Sequence, residues 1–237
     1  MKKSKYFIFN WLIFIVLLLQ IITNIESDKE IYHGLFYIFL TYFIVIGLAS
    51  FMLCLSFYGK VQCKSKNNKI LYSFDDGPDP IITPQILTIL QKNNIKAIFF
   101  CIGKKAERYP HIIQDIINQG HQIGNHSYSH SHKFGFYSIK KLQYEIRFTN
   151  RILQKITNKK IKYFRPPAGI MNPKIYKVAL AEKMIILGWS IRSFDTFLPQ
   201  KFVLYILSKA QKNDIILLHD NRLKTISTLG IYCGKER

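Results

Sequence analysis

The stretch Ser73-Phe74-Asp75-Asp76-Gly77-Pro78 decides how this chain is interpreted. It follows the apolar residues 70–72, which predict a buried strand, and Gly77-Pro78 ends that strand in a turn. Asp75 and Asp76 therefore lie at the carboxyl end of a strand, where α/β folds place their chemistry. Because neighbouring strand residues point to opposite faces, we expect the two carboxylates to have different roles, such as metal ligand and general base. The alternative is a plain turn, since Asp, Gly and Pro all favour turns.

Two long apolar runs precede this stretch, at residues 6–25 and 31–58, with five residues between them. Each run is long enough to cross a bilayer, which needs roughly 20 apolar residues. They predict a two-helix transmembrane hairpin. For the first run the alternative is a cleaved signal peptide, but no small-x-small cleavage site is visible. We therefore expect a membrane part and basic linker at residues 1–67 and a second domain at residues 68–237.

The charges that flank the two runs predict their orientation. Lysines precede the first run and follow the second, whereas the connection at residues 26–30 is mainly acidic. The positive-inside rule then places both outer ends in the cytoplasm. The expectation is a multi-pass inner-membrane protein whose second domain lies on the cytoplasmic face.

Four cysteines, Cys54, Cys63, Cys101 and Cys233, show neither metal nor redox spacing. We expect ordinary thiols and no disulfide framework.

The chain is strongly basic, with 34 Lys and Arg against 14 Asp and Glu and a formal net charge of +20. Such a surface suits an anionic membrane or a phosphorylated substrate. It would also suit nucleic acid, but no nucleic-acid-binding motif supports that partner, and we expect none. A general compositional bias toward Ile, Asn and Lys is the alternative explanation.

The remaining chain alternates short apolar runs with longer amphipathic ones. The predicted strands are 70–74, 97–102, 122–124, 162–164, 184–189 and 215–218. The predicted helices are 83–92, 105–118, 139–156, 173–182 and 200–212, with a helix start at Pro110. This alternation predicts an α/β fold with a parallel sheet or barrel.

Further polar residues follow the predicted strands. His126 and His130 are four residues apart, a spacing at which two imidazoles can share one side of a helical turn and one metal. Together with the carboxylate of Asp76 they suit zinc or another divalent transition metal. His132 is a further candidate, which we assign to solvent or to an outer contact. Arg165 stands before a rigid Pro-Pro turn and could hold a carboxylate ionised.

Five motifs in this order resemble the polysaccharide deacetylase family, the NodB-type carbohydrate esterases. They are 73–78, 126–130, 165–169, 189–195 and 217–219, and the resemblance covers about 150 residues. The resemblance implies a distorted (β/α)7-type barrel and a metal-dependent hydrolase that removes an N-acyl group from an amino sugar.

The resemblance also implies roles for individual residues. The metal ligands would be Asp76, His126 and His130. Asp75 would be the general base, oriented by Arg165, and His219 the general acid, tuned by Asp195. Trp189 and Leu217 would wall the acyl pocket.

The chain departs from the family pattern in three places. Ala168 stands where many members have an aromatic residue, and Ser73 replaces a common threonine. After His219 only 18 residues remain, enough for a helix beginning near 225 but with no evident closing strand. The barrel is therefore expected to be incomplete at this end, with an unpaired edge.

The leading hypothesis is a membrane-anchored, metal-dependent N-deacetylase. A cytoplasmic domain would meet lipid-linked sugars, which favours an undecaprenyl-phosphate-linked N-acetylhexosamine or a similar glycolipid precursor as substrate. One alternative is an outward-facing peptidoglycan or chitooligosaccharide deacetylase. Another, from a different functional class, is a catalytically degenerate, membrane-bound sugar-binding protein.

Overall fold

The computed structural model describes residue 15 and residues 28–235. The first predicted membrane run, residues 6–25, lies outside the described residues except for that one position. Helix α1, Asp28–Phe51, contains the only stretch of the described chain that is long and apolar enough to cross a membrane, Tyr32–Phe51, with a mean hydropathy of 2.1. A signal sequence would pass the same test, and the described residues do not show the predicted two-helix hairpin.

The helical part of the second run is shorter than predicted. Helix α1 ends at Phe51, not near residue 58. The residues that follow belong to the folded domain, because Leu53 is buried in the main core and Cys54 is covalently bonded. Apolar composition alone could not separate these domain residues from the helix before them.

Cys54 and Cys63 form a disulfide, so the prediction of ordinary thiols was wrong for this pair. Cys101 and Cys233 are buried thiols, as expected. The chain turns back after a short 3₁₀ turn, Leu53–Leu55, and this brings the two sulfurs together. Both sulfurs pack against Gly188, where an added Cβ would lie only 2.6 Å and 2.9 Å from them. The disulfide therefore packs directly against the folded domain at Gly188.

Seven parallel strands form one sheet. They are β1 Leu71–Asp75, β2 Ala97–Cys101, β3 Gln122–Asn125, β4 Tyr163–Phe164, β5 Ile185–Ile186, β6 Ile191–Arg192 and β7 Ile215–His219. Their order is β5-β4-β3-β2-β1-β7-β6, so the strand that ends in Asp75 has a neighbour on each side. Strand β6 was not predicted, since two residues are too few to produce a recognisable alternation.

The sheet curls into an incomplete barrel. Its outer strands, β5 and β6, are consecutive in the chain and only four residues apart, at 187–190. Because β5 pairs with β4 and β6 pairs with β7, this stretch passes from one end of the sheet to the other. Gln62 bridges Leu187, and Lys64 bridges Asp214. Part of the stretch predicted as a linker is therefore built into the barrel wall.

Helices connect most of the strands and cover the sheet. After α1 they are α2 Ile82–Lys92, α3 Gly103–Arg108, α4 Pro110–Asn118, α5 Ile139–Thr157, α6 Pro173–Ala181, α7 Gln200–Leu207 and α8 Leu223–Lys235. The single helix predicted at 105–118 is two helices, because Pro110 disfavours the helical conformation of Tyr109 and begins a new helix. In the core, Phe74 of β1 stacks on Phe99 of β2 with ring centroids 4.9 Å apart.

The short C-terminal stretch completes the cover of the sheet. Helix α8 packs against α2 and α7, and it buries Leu229, Tyr232 and Cys233. This confirms the predicted helix near residue 225, and no strand follows it within the described residues. The predicted α/β parallel sheet is confirmed as a half-barrel.

Candidate metal centre and catalytic site

The turn after β1 brings two adjacent carboxylates to one site. Asp75 is the last residue of β1. Asp76 has a φ of 75°, in the left-handed region, which turns the chain sharply after the strand. As a result, one imidazole, that of His126, faces both side chains, with Nε2 3.8 Å from Oδ2 of Asp75 and 3.4 Å from Oδ1 of Asp76. The turn therefore does bend the two residues together.

Asp76, His126 and His130 form the one group of potential metal ligands found in the described residues. Their ligand atoms all lie within 4.8 Å of one another. Oδ1 of Asp76 is 3.1 Å from Nε2 of His130. Two imidazoles and one carboxylate are a donor set typical of catalytic zinc, which keeps a further position open for water or substrate.

The tautomer of His126 also fits a metal ligand. Its Nδ1 lies 2.8 Å from the main-chain oxygen of Arg165. A carbonyl oxygen can only accept, so Nδ1 carries a proton. Nε2 donates to Asp76 while the imidazole is charged, and it offers a lone pair to a metal once the imidazole is neutral. The residues present therefore fit a divalent metal ion, which Asp76, His126 and His130 would hold.

The spacing of the two histidines suggested that they share one helical turn. In the structure they lie on a loop instead. Ser127 and His130 both have positive φ values, 64° and 49°. The loop is held by Glu145 of α5, a buried side chain that accepts hydrogen bonds from the main-chain N–H groups of Tyr128 and Ser129 at 3.0 Å and 2.8 Å. Sequence reasoning missed Glu145, although an acid on the apolar face of a helix was a usable signal.

Arg165 lies at the centre of the barrel and is completely buried. Its Nη1 donates to Oδ1 of Asp75 at 2.7 Å, and its Nε and Nη2 donate to the main-chain oxygens of Leu187 and Gly188 at 2.9 Å and 2.8 Å. The guanidinium also lies 4.1 Å from the ring centroid of Phe100. A fixed guanidinium of this kind holds the Asp75 carboxylate in place.

His219 ends β7, directly beside Asp75 in the register of the sheet. Its Nδ1 is 2.7 Å from Oδ1 of Asp195. Asp195 also accepts hydrogen bonds from Ser193 at 3.0 Å and from Thr225 of α8 at 2.7 Å. Ser193 and Thr225 were not predicted as site residues, since isolated hydroxyls carry no sequence signal. Together these contacts fix the imidazole so that Nε2 is left to face the site.

The electrostatics of the site follow from these pairs. Burial alone would raise the pKa of Asp76, but hydrogen bonds from His126 and His130 outweigh it and hold that pKa well below its usual value. Burial would lower the pKa of His219, but the hydrogen bond to Asp195 and its charge outweigh it and raise that pKa. These contacts thus favour the ionised form of Asp76 and the protonated form of His219.

Trp189 and Leu217 lie on the stretch after β5 and on β7. The Trp189 ring packs over Gly169, whose φ of 69° suits glycine and where an added Cβ would overlap the indole. Leu217 is buried at 3% exposure beside Arg192 in the sheet. Their contribution to an acyl pocket stays a prediction.

Two further residues at the end of β7 were given no role by sequence reasoning. Asp220 is fully buried, accepts a hydrogen bond from Thr83 at 2.7 Å and lies so close to Gly77 that a side chain there would overlap its carboxylate. Burial raises the pKa of Asp220 to about 7. Asn221 donates to Oδ2 of Asp76 at 3.4 Å. Both residues pack the end of β7 against the turn that carries Asp75 and Asp76.

The sequence model of the family described as polysaccharide deacetylase matches residues 63–184. A peptidoglycan-N-acetylglucosamine deacetylase from Bacillus cereus is 32% identical over 180 residues, which cover 72% of this chain and 84% of that protein. This chain belongs to the polysaccharide deacetylase family. A chitooligosaccharide deacetylase from Azorhizobium caulinodans is 31% identical over 170 residues, covering 70% of this chain and 80% of that protein.

Solved structures agree with this membership of the polysaccharide deacetylases. The peptidoglycan deacetylase PdaC from Bacillus subtilis has a TM-score of 0.66 and 28% identity, covering 72% of this chain and 83% of that chain. A pseudoenzyme of carbohydrate esterase family 4 from Bacillus anthracis has a TM-score of 0.67 at 24% identity, covering 73% and 62%. The predicted family is confirmed, and with it a hydrolase acting on the amide bonds of N-acetylated sugars. Since a pseudoenzyme shares the fold, the site residues carry the functional argument.

Proposed function

We propose that this protein is a metal-dependent N-deacetylase that hydrolyses the N-acetyl group of an amino sugar. The observation that carries the proposal is the pair of proton-handling groups beside the ligand triad. Asp75, held by Arg165 at 2.7 Å, and His219, held by Asp195 at 2.7 Å, lie on neighbouring strands at the edge where Asp76, His126 and His130 meet.

The two groups suit the two proton transfers of amide hydrolysis. A bound divalent metal would polarise the acetyl carbonyl and acidify water. Asp75 accepts a proton from the attacking water, and Arg165 holds the carboxylate in place. His219 donates a proton from Nε2 to the amide nitrogen as its bond to the carbonyl carbon breaks. The products are acetate and a free amino sugar.

The test uses the full-length protein in detergent with zinc and a chitooligosaccharide, and it measures acetate release and bound metal. Turnover that needs metal and is lost in His219→Ala supports the proposal. Glu182→Gln is the matched control, because Glu182 pairs with Arg147 outside the site. A well-folded protein that binds the sugar but holds no metal and releases no acetate would instead be a sugar-binding protein.

Helix α1 serves as a membrane anchor in this proposal, and the catalytic domain lies on the oxidising side of the membrane. The Cys54–Cys63 disulfide supports that side, because cytoplasmic proteins are normally kept reduced. The flanking lysines favoured the cytoplasmic face instead. A C-terminal alkaline phosphatase fusion separates the two, since the reporter is active only outside the cytoplasm.

For the substrate, we propose an N-acetylhexosamine linked to a lipid such as undecaprenyl phosphate. The membrane-length helix and the excess of basic residues support it. The second candidate is peptidoglycan or a chitooligosaccharide, which the relatives' names and the disulfide support. Mass spectrometry of lipid extracts and of purified cell wall, with and without the protein, identifies which pool loses acetyl groups.

A further inference from the structure

We infer that the catalytic face of the barrel rests on the surface of the bilayer, which it contacts through a ring of exposed apolar side chains. The inference rests on the proposed anchoring by α1. Beyond the anchoring, the inference specifies which side of the domain contacts the membrane. That side determines which substrates can reach the site.

The first observation is where the most exposed large apolar side chains lie. Outside α1, the four highest exposed fractions belong to Phe136 at 87%, Leu223 at 69%, Ile81 at 65% and Phe197 at 64%. Three of them stand between the carboxyl end of a strand and the next long helix: Phe136 between β3 and α5, Ile81 between β1 and α2, and Phe197 between β6 and α7. Leu223 is the first residue of α8, which follows β7. Parallel strands place all these connections at the same end of the barrel, around Asp75 and His219.

The second observation is how α1 joins the domain. The main-chain oxygen of Ser50, next to the end of α1, accepts a hydrogen bond from the N–H of Met171 at 2.9 Å. Met171 lies on the connection after β4, at the catalytic end. The neighbouring Asn172 donates to the main-chain oxygen of Gly135 at 2.7 Å, and Gly135 precedes Phe136. The end of α1 and the most exposed residue of the ring are thus linked through two consecutive residues.

The third observation is the charge on this face. The acids on the connections after the strands are buried or half-buried: Asp76, Asp79, Asp195 and Asp220. Four Lys and Arg side chains at the same end are exposed, Lys104, Lys133, Arg192 and Arg222, and Glu107 on the helix of Lys104 is an exposed acid. Basic and apolar side chains combined on one face suit the headgroup region of an anionic bilayer. Single exposed apolar residues such as Tyr205 and Leu180, at 62% and 61% on helices, need no explanation, but the four most exposed ones outside α1 share one face.

This arrangement restricts the substrate. A site that faces the bilayer at the surface is accessible to a sugar carried on a lipid or to a glycan held close to the membrane. It is poorly placed for a polymer approaching from the opposite side. The inference therefore favours the lipid-linked substrate.

The test measures depth in the membrane at three positions. Phe136→Cys, Leu223→Cys and Leu180→Cys variants of the full-length protein are labelled with the fluorophore NBD and reconstituted in phosphatidylcholine–phosphatidylglycerol nanodiscs. Leu180 is the matched control, since it is 61% exposed but lies near the end of α6, away from the catalytic face. We expect blue-shifted emission and loss of emission with brominated lipids at positions 136 and 223, and neither at 180.

Equal behaviour at all three positions, or no quenching at 136 and 223, would overturn the inference. So would a blue shift that appears in lipid-free detergent and grows with protein concentration, because a second copy of the chain would then cover this face. Chitopentaose deacetylation in the same samples separates this inference from the proposed function. Deacetylation without quenching would support the proposed activity and overturn the placement on the membrane. Quenching without deacetylation would support the placement and count against the proposed activity.

Discussion

Arg165 connects the two halves of the site, since its main-chain oxygen accepts a hydrogen bond from Nδ1 of His126 while its guanidinium donates to Asp75 at 2.7 Å. One residue therefore sets both the tautomer of a metal ligand and the position of the proposed base. A change in its side chain should disturb the base first, because the main-chain contact to His126 does not depend on side-chain identity.

Arg165→Lys should lower both turnover and stability while leaving a metal site. Lysine cannot reproduce the three donor directions that reach Asp75, Leu187 and Gly188. Lysine keeps the positive charge but leaves buried acceptors unsatisfied, which typically costs about 1–3 kcal/mol of unfolding free energy. Chemical denaturation and zinc titration check this. Unchanged stability, or a complete loss of zinc from folded protein, would contradict it.

Substitutions of the two adjacent aspartates should differ in how much metal the protein binds. Asp76→Asn should lose metal and activity together, since one of three protein ligands is weakened. Asp75→Asn should keep the metal and lose about 10²–10⁴ in rate, the usual effect of removing a general base. Metal analysis beside acetate release distinguishes them. The opposite pattern would mean that the two roles are exchanged, and full activity in both variants would make the stretch only a turn.

Asp195→Asn should move the alkaline limb of the pH–rate profile to lower pH. An acid works only while protonated, so activity falls as the pH rises through the pKa of His219. Asp195 raises that pKa, and its neutral replacement should lower it. The profile of kcat/KM against pH checks this. Glu182→Gln is the control variant and should keep the wild-type profile. If the alkaline limb of Asp195→Asn also stays at the wild-type position, this would count against His219 as the acid.

Replacing both Cys54 and Cys63 by serine should lower the free energy of unfolding by about 2–3 kcal/mol, as expected for closing a short loop. The two cysteines are nine residues apart in the sequence. Urea unfolding with and without dithiothreitol measures the effect. Reductant should destabilise the natural protein and leave the double serine variant unchanged. If the natural protein does not respond to reductant, the disulfide does not form in solution.

Much of the fold could be predicted from the sequence because it depends on local patterns. The apolar run before Asp75 and the proline at position 110 marked a strand end and a helix start that the structure confirms. Features that depend on long-range packing could not be predicted. Strand β6 is recognisable only through its pairing with β7, and the Cys54–Cys63 bond only through the turn between them.

The site shows the same division. Asp76, His126 and His130 were predicted as one group and lie as one group, because charged side chains after parallel strands converge at one edge. Glu145 and Thr225, which hold the His126–His130 loop and Asp195, come from distant helices. Such supporting residues carry no motif of their own, and only the folded chain reveals which active-site group each one supports.

Gln62 and Lys64 are part of the barrel wall, and this affects the reach of the enzyme. No slack separates α1 from the domain, because the disulfide and these two bridges take up the intervening chain. A flexible tether would let the site search a volume that grows with tether length. If α1 anchors the protein as proposed, this attachment would hold the mouth of the barrel at one height, and a lipid-linked substrate would have to diffuse to it along the membrane. A version beginning at residue 68 would lose both α1 and a piece of the wall, exposing the main-chain groups of Ile186 and Gly188 that pair with Gln62.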